Sequence, residues 1–158
     1  MSKKDLNITV NANGQDFEIN LCDYSKESDI LDSINETITQ GDRDAELATS
    51  FEVTDWQDVP ENCRHMDVAM DLADYYGNSY QDLDVFEAAR EAGIDFSNVD
   101  DSYQGEYKSD IDFAQETADQ LGAVDKNASW PMTCINWEQA AKELMYDYSE
   151  ANGHYFRT

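Results

Sequence analysis

Positive charge is what this sequence most lacks. Ten lysines and arginines face 35 aspartates and glutamates, a formal net charge of −25 over 158 residues. Such a field repels nucleic acid and attracts basic surfaces, which argues against direct nucleic-acid binding and favours a basic partner, a cation or a high-salt habitat. Long hydrophobic runs are missing too. No stretch approaches the roughly 18 apolar residues of a membrane span, so no membrane association is expected. The start, "MSKKDLNITVNANGQ", has two lysines and no apolar segment of the signal-peptide kind behind them. The three cysteines, Cys22, Cys63 and Cys134, stand far apart and form no CxxC pair. They read as reduced thiols of a cytoplasmic protein, with a shared zinc site as the lesser reading.

Catalytic signatures are equally thin. His65 and His154 belong to no HExxH or HxE pattern, and neither a phosphate-cradling glycine loop nor a GxSxG is present. Carboxylate pairs are so numerous that some match a glycosidase spacing by chance. A calcium loop with Gly105 in sixth place would need a bidentate Glu where Ile111 stands. No enzyme, metal site or cofactor is therefore expected.

What is present is a core. Hydrophobic residues make up 41% of the chain and aromatics 11%, more than a disordered chain carries. "LNITV" and "QDFEINL" alternate like strands and are joined by "NANG", a hairpin signal. In "SKESDILDSINETITQG", Ile30, Leu31, Ile34 and Ile38 have helical spacing and Gly41 is a stop. "ATSFEVTDW" reads as a strand and Pro60 as a boundary. Residues 61–105 read as helical, with ends at Gly77 and Gly93, and "SNVDDSYQGEY" reads as a polar connector. Ser109 can cap "DIDFAQETADQLG", because Asp112 completes a capping-box-like pattern. Asn136 can cap "WEQAAKELMYDY", and "NGHYFR" reads as a turn and a final strand. The expected architecture is α+β and elongated, with short-stranded sheets at both ends of a helical middle. Three small domains are expected: 1–60 (hairpin, helix, strand), 61–105 (helical) and 106–158 (α+β).

The acids fall into stripes. Asp67, Asp71 and Asp74 lie at i, i+4 and i+7, one face of a helix, where like charges repel by a few tenths of a kcal/mol per pair. Four more triads span the same distance: Asp29, Asp32 and Glu36; Asp84, Glu87 and Glu91; Asp112, Glu116 and Asp119; Glu143, Asp147 and Glu150. Composition alone yields roughly three, a mild excess, but each falls in or at the end of a segment read as helical. Asp55, Asp58, Asp82, Asp100, Asp101, Glu106 and Asp110 lie between the stripes. Residues 27–119 hold 26 acids and four bases. Solvated outer faces of amphipathic helices explain most single acids. They do not explain why so few lysines share those faces, since surfaces usually mix signs. Phosphate mimicry does. Acids three or four residues apart on a helix are about 4.5–6 Å apart along its axis, of the same order as the 3.4 Å between phosphates on one DNA strand. At the charge density of DNA, −25 corresponds to roughly 40 Å of duplex. A halophilic adaptation and a general acidic module for some other basic or DNA-binding protein are the competing readings.

Three stretches carry a family resemblance. "SYQGEYKSDIDFAQETADQLGAV", with Tyr103, Gly105, Tyr107, Ser109 and Phe113, resembles the signature region of the ArdA family of antirestriction proteins. "INWEQAAKELMYDYSEANGHYF" resembles the C-terminal block of that family, through Ile135-Asn136-Trp137, Lys142-Glu143-Leu144 and Gly153-His154-Tyr155-Phe156. "FEVTDWQDVP" is similar to the stretch before the family's helical middle. The N-terminal "LNITVNANGQDFEINLCDYS" lacks the family's Gly-x-Trp. The resemblance implies a curved, three-domain mimic of bent B-form DNA, encoded on mobile genetic elements, that fills the DNA-binding groove of type I restriction–modification enzymes. It also implies a homodimer through the C-terminal domain. Trp130, Trp137, Tyr146, Tyr148, Tyr155 and Phe156 there suit either an interface or a core.

Overall fold

The computed structural model describes residues 4–158, so Lys3, one of the two lysines in the N-terminal reading, lies outside it. Strand β1 (Asn7–Ala12) turns back into β2 (Gln15–Asn20) through Asn13 and Gly14, with φ of 53° and 78°. Two successive positive φ angles match the twist of a tight hairpin, which is why Asn-Gly stands there. Side chains alternate along β1: Ile8, Val10 and Ala12 are buried, while Asn7, Thr9 and Asn11 are partly exposed. Helix α1 (Glu27–Gly41) follows and buries Ile30 and Ile34. Strand β3 (Glu52–Asp55) then pairs with β1, giving an antiparallel sheet in the order β2-β1-β3.

Helices α2 (Met66–Asn78) and α3 (Leu83–Ala92) form the middle. Gly93 ends α3 in the left-handed conformation, φ 78°, and its N–H closes on the carbonyls of Ala89 and Arg90. The segment read as a polar connector is ordered instead. It forms a one-turn helix α4 (Val99–Ser102) and strand β4 (Tyr103–Glu106). The expected domain boundary at 105 therefore falls inside a strand. Helix α5 (Asp110–Gln120) starts at Ser109, whose hydroxyl accepts the Asp112 N–H at 3.1 Å. Asn136 caps α6 (Trp137–Leu144) by accepting the Gln139 N–H at 3.2 Å. The helix expected to reach Tyr148 stops at Leu144. A 3₁₀ turn over residues 145–147 leads into β5 (Tyr148–Ala151), which pairs with β6 (His154–Arg157) across Asn152 and Gly153. The second sheet runs β4-β6-β5, also antiparallel.

Among the described residues the fold is thus α+β, with six helices and two three-stranded sheets. One continuous buried cluster joins Ile8 and Val10 of the first sheet, Ile34 of α1, Leu72 of α2 and Phe86 of α3 to Ala151 and Phe156 of the second sheet. It draws on all three of the expected segments. A separate aromatic group backs the second sheet: Phe113 of α5 stacks on Tyr155 at 4.5 Å and meets Tyr148 edge-on at 5.0 Å. No helix is long and apolar enough to cross a membrane among the described residues.

Candidate functional site

Burial of the apolar stripes fixes where the acids point. On α2, Ala69, Leu72 and Ala73 face the core, and the 3.6-residue period turns Asp67, Asp71 and Asp74 outward. On α1 the burial of Ile30 and Ile34 leaves Asp32 and Glu36 exposed and Asp29 half-exposed. On α3, Val85, Phe86, Ala88 and Ala89 are buried, with Asp84 and Glu91 exposed and Glu87 half-exposed. On α5, Phe113 and Ala114 are buried and Asp112, Glu116 and Asp119 exposed. Four of the five triads therefore share a helix. The fifth does not: Glu143 is on α6, Asp147 in the 3₁₀ turn and Glu150 on β5, because the chain leaves the helix at Leu144.

The acids between the stripes are exposed as well: Asp55, Asp58, Asp82, Asp100, Asp101, Glu106 and Asp110. In all, 17 of the 19 candidate carboxylates are exposed, the exceptions being Asp29 and Glu87. Several also hold the fold together. Asp58 accepts the Asn7 N–H at 3.0 Å, Asp100 accepts the Ser79 hydroxyl, Glu91 accepts from Asn152 at 2.9 Å and Asp110 accepts the Tyr155 hydroxyl at 2.6 Å.

Cations do little to neutralise this surface. Of the candidate carboxylates, Asp119 lies 3.7 Å from Lys126 and Asp84 lies 3.4 Å from His154. The Nε of Arg64 donates to the Val59 carbonyl at 3.1 Å and that of Arg90 to the Asn62 carbonyl at 3.2 Å. Backbone oxygens, not carboxylates, hold these two guanidinium groups. Asp71 feels the result. Partial burial, then the neighbouring charges of Asp74 and Asp95, push its carboxyl above the usual range.

Sequence spacing missed two members of this surface. Asp95 follows Gly93 in a loop, outside any helical period, yet it lines a cleft of about 440 Å³ with Asp67, Val68, Asp71, Arg90, Ile94 and Phe96. Glu61 lies in a 3₁₀ turn and lines a shallow hollow with Asn62, Glu87, Arg90 and Glu91. Loop acids carry no periodic signal, so nothing in the local sequence marks them.

The motif residues have a different role. The Tyr103 hydroxyl meets Nδ1 of His154 at 2.8 Å, and burial, then Glu106, raises its phenol to about 12. Gly105 has φ 123° at a register shift between β4 and β6, and an added Cβ would lie 3.3 Å from the Tyr107 ring. That ring sits 5.1 Å from Phe113 and 5.6 Å from Tyr155. Ser109 caps α5. Tyr103, Gly105, Tyr107, Ser109 and Phe113 therefore knit β4, β6 and α5 together, and the acids are the groups left facing water. Of the C-terminal aromatics, Tyr155 and Phe156 are buried, Trp137 and Tyr148 half-buried, and Trp130 and Tyr146 exposed. No family model, curated protein or solved structure matches this chain.

Proposed function

We propose that the chain is a non-enzymatic antirestriction protein that mimics B-form DNA and occupies the DNA-binding groove of a type I restriction–modification enzyme in the cytoplasm. The observation that carries this reading is the unneutralised surface: 17 exposed candidate carboxylates on helices α1 to α5, strands β3 and β4 and their connections, of which, among the described residues, Asp119 meets a lysine. Charges held apart from their own lysines keep a full electrostatic claim on the lysines and arginines of a partner. A DNA-binding groove supplies those at phosphate spacing, and releasing its condensed counterions drives association. The resemblance to the ArdA family in the 103–113 and 135–156 segments supports the choice of target class.

Charge distribution favours this over a halophilic surface, which would spread its acids evenly. Residues 1–26 hold four acids and three bases, and residues 120–158 hold five and three, against 26 and four in residues 27–119. An extended shape is supported by an accessible surface of 10,208 Å², compared with roughly 8,000 Å² for a compact monomer of this mass. The near-neutral C-terminal part is a place where two copies can meet without strong repulsion. It also exposes Trp130, Met132 and Tyr146, so a homodimer through it is part of the proposal.

The test is competition. Rising amounts of the protein are added to a type I restriction–modification enzyme and a labelled duplex carrying its site, at two salt concentrations. Displacement that weakens steeply with salt is expected. A flat salt response would contradict mimicry, and no displacement would transfer the acidic surface to another basic partner.

A further inference from the structure

Tyr80 lies in the turn between α2 and α3, two residues before the exposed Asp82, and is 86% exposed. Single exposed apolar residues are ordinary. What sets Tyr80 apart is how firmly its backbone is held. The preceding Ser79 is buried, its N–H donates to the Tyr76 carbonyl at 3.2 Å, and its hydroxyl donates to Asp100 while accepting the Gln81 N–H at 3.0 Å. The Gln81 carbonyl accepts from Lys4 Nζ, and the Asp82 carbonyl accepts the Val85 N–H at 3.1 Å. The turn is fixed on both sides, yet the ring at its tip touches water. Order is thus built around a side chain that contributes almost no burial to the fold.

We infer that Tyr80 is an anchor for an arginine of the basic partner, whose guanidinium lies over the ring face and is held at its rim by Asp82. This inference rests on the reading of the acidic surface as a binding face. The electron-rich face of a phenol attracts a cation, and a planar guanidinium stacks on it better than an ammonium does. Beside the turn, on the last part of α2, one cation–ring pairing already exists, with Lys4 Nζ 4.4 Å from the centre of the Tyr76 ring. Charge complementarity selects the occupant, since the turn is bonded to Asp100 through Ser79 and runs directly into the exposed Asp82 and Asp84. Because the turn is ordered beforehand, little freedom is lost on binding, which is the condition for a tyrosine to dominate an interface.

The experiment compares wild type, Tyr80→Ala and Tyr80→Phe in the competition assay at both salt concentrations, with circular dichroism to show that all three fold. Tyr80→Ala should displace duplex about tenfold less well, and Tyr80→Phe within about twofold of wild type, because the ring face is kept. The alanine defect should persist at the higher salt, where the effect of removing stripe carboxylates fades. Displacement by Tyr80→Ala at wild-type concentrations would overturn the anchor alone. A phenylalanine variant as weak as the alanine one would also overturn it, by pointing to the hydroxyl. Failure of the wild type to displace duplex would overturn the restriction enzyme as the target and, with it, the anchor for an arginine of that groove.

Discussion

Asp84, in the first turn of α3, lies 3.4 Å from Nε2 of His154 on β6, while Nδ1 of the same ring meets the Tyr103 hydroxyl on β4 at 2.8 Å. The histidine is buried and the aspartate is not. One imidazole thus ties a helix of the middle to two strands of the second sheet. The hydrogen bond inside the protein should matter more than the contact with Asp84 at its rim, because the exposed carboxylate is screened by water. His154→Ala, which strands the Tyr103 hydroxyl and opens a hole, should cost about 2–3 kcal/mol of stability, whereas Asp84→Ala should cost under about 1 kcal/mol. Urea denaturation of the two variants checks the ratio. Equal losses would mean that the contact with Asp84 is the dominant link.

Distributed charge predicts graded loss. Changing any one of Asp67, Asp71 or Asp74 to Asn should weaken displacement of duplex from the target by about twofold, since each carboxylate releases on the order of one counterion. Changing all three should weaken it by about tenfold and flatten the salt dependence. A single change that abolished inhibition with the fold intact would reveal one indispensable contact instead of a mimic.

How far this surface was legible can be followed residue by residue. The stripes of α1, α2, α3 and α5 were readable because burial of Ile30, Leu72, Phe86 and Phe113 obeys the same helical period that turns the acids outward. Asn13-Gly14 announced its hairpin because that turn demands two positive φ angles. Strand β5 was hidden. "MYDYSEA" continues a helical pattern, and only pairing with β6, Tyr148 opposite Arg157 and Ala151 opposite His154, pulls it into a sheet. Strand β4 was hidden too, since its four residues include Gly105 and two polar side chains. Its partner is about 50 residues away in sequence, beyond any local signal. The contributions of Asp95 and Glu61 to the surface depend on loops folding back, which no periodicity records.

Asp71 carries two opposing demands. Its carboxyl is raised in the folded chain, chiefly by burial and then by Asp74 and Asp95. A raised carboxyl favours the fold while protonated, and that contribution is lost as pH rises through its folded value. At pH 7 the ionised group therefore works against the fold. Asp71→Asn should raise the melting temperature at pH 7 by about 1–2 °C, a small shift because the group is exposed to water. The gain should vanish below about pH 4, where wild type is protonated as well. The same variant should inhibit slightly less well. Thermal scans at the two pH values check the sign, and a variant that melts lower than wild type at pH 7 would contradict it.

Self-association and target binding should respond to salt in opposite directions. Between two copies of a chain with net charge −25 the long-range force is repulsive, so salt screens an obstacle. Between the chain and a basic groove the force is attractive, so salt screens the driving term. The proposed dimer contact uses Trp130, Met132 and Tyr146, exposed apolar side chains in a part of the chain with little net charge, and their burial is insensitive to moderate salt. Sedimentation at rising salt should therefore show a dimer that is maintained or strengthened, while displacement of duplex weakens. Trp130→Ala together with Met132→Ala should shift the dimer to monomer by at least about tenfold in dissociation constant. The melting temperature of the monomer should stay within about 2 °C of wild type, because neither side chain is buried in it. A dimer that dissociates as salt rises would mean that its contacts are ionic, and the apolar face would then be no part of it.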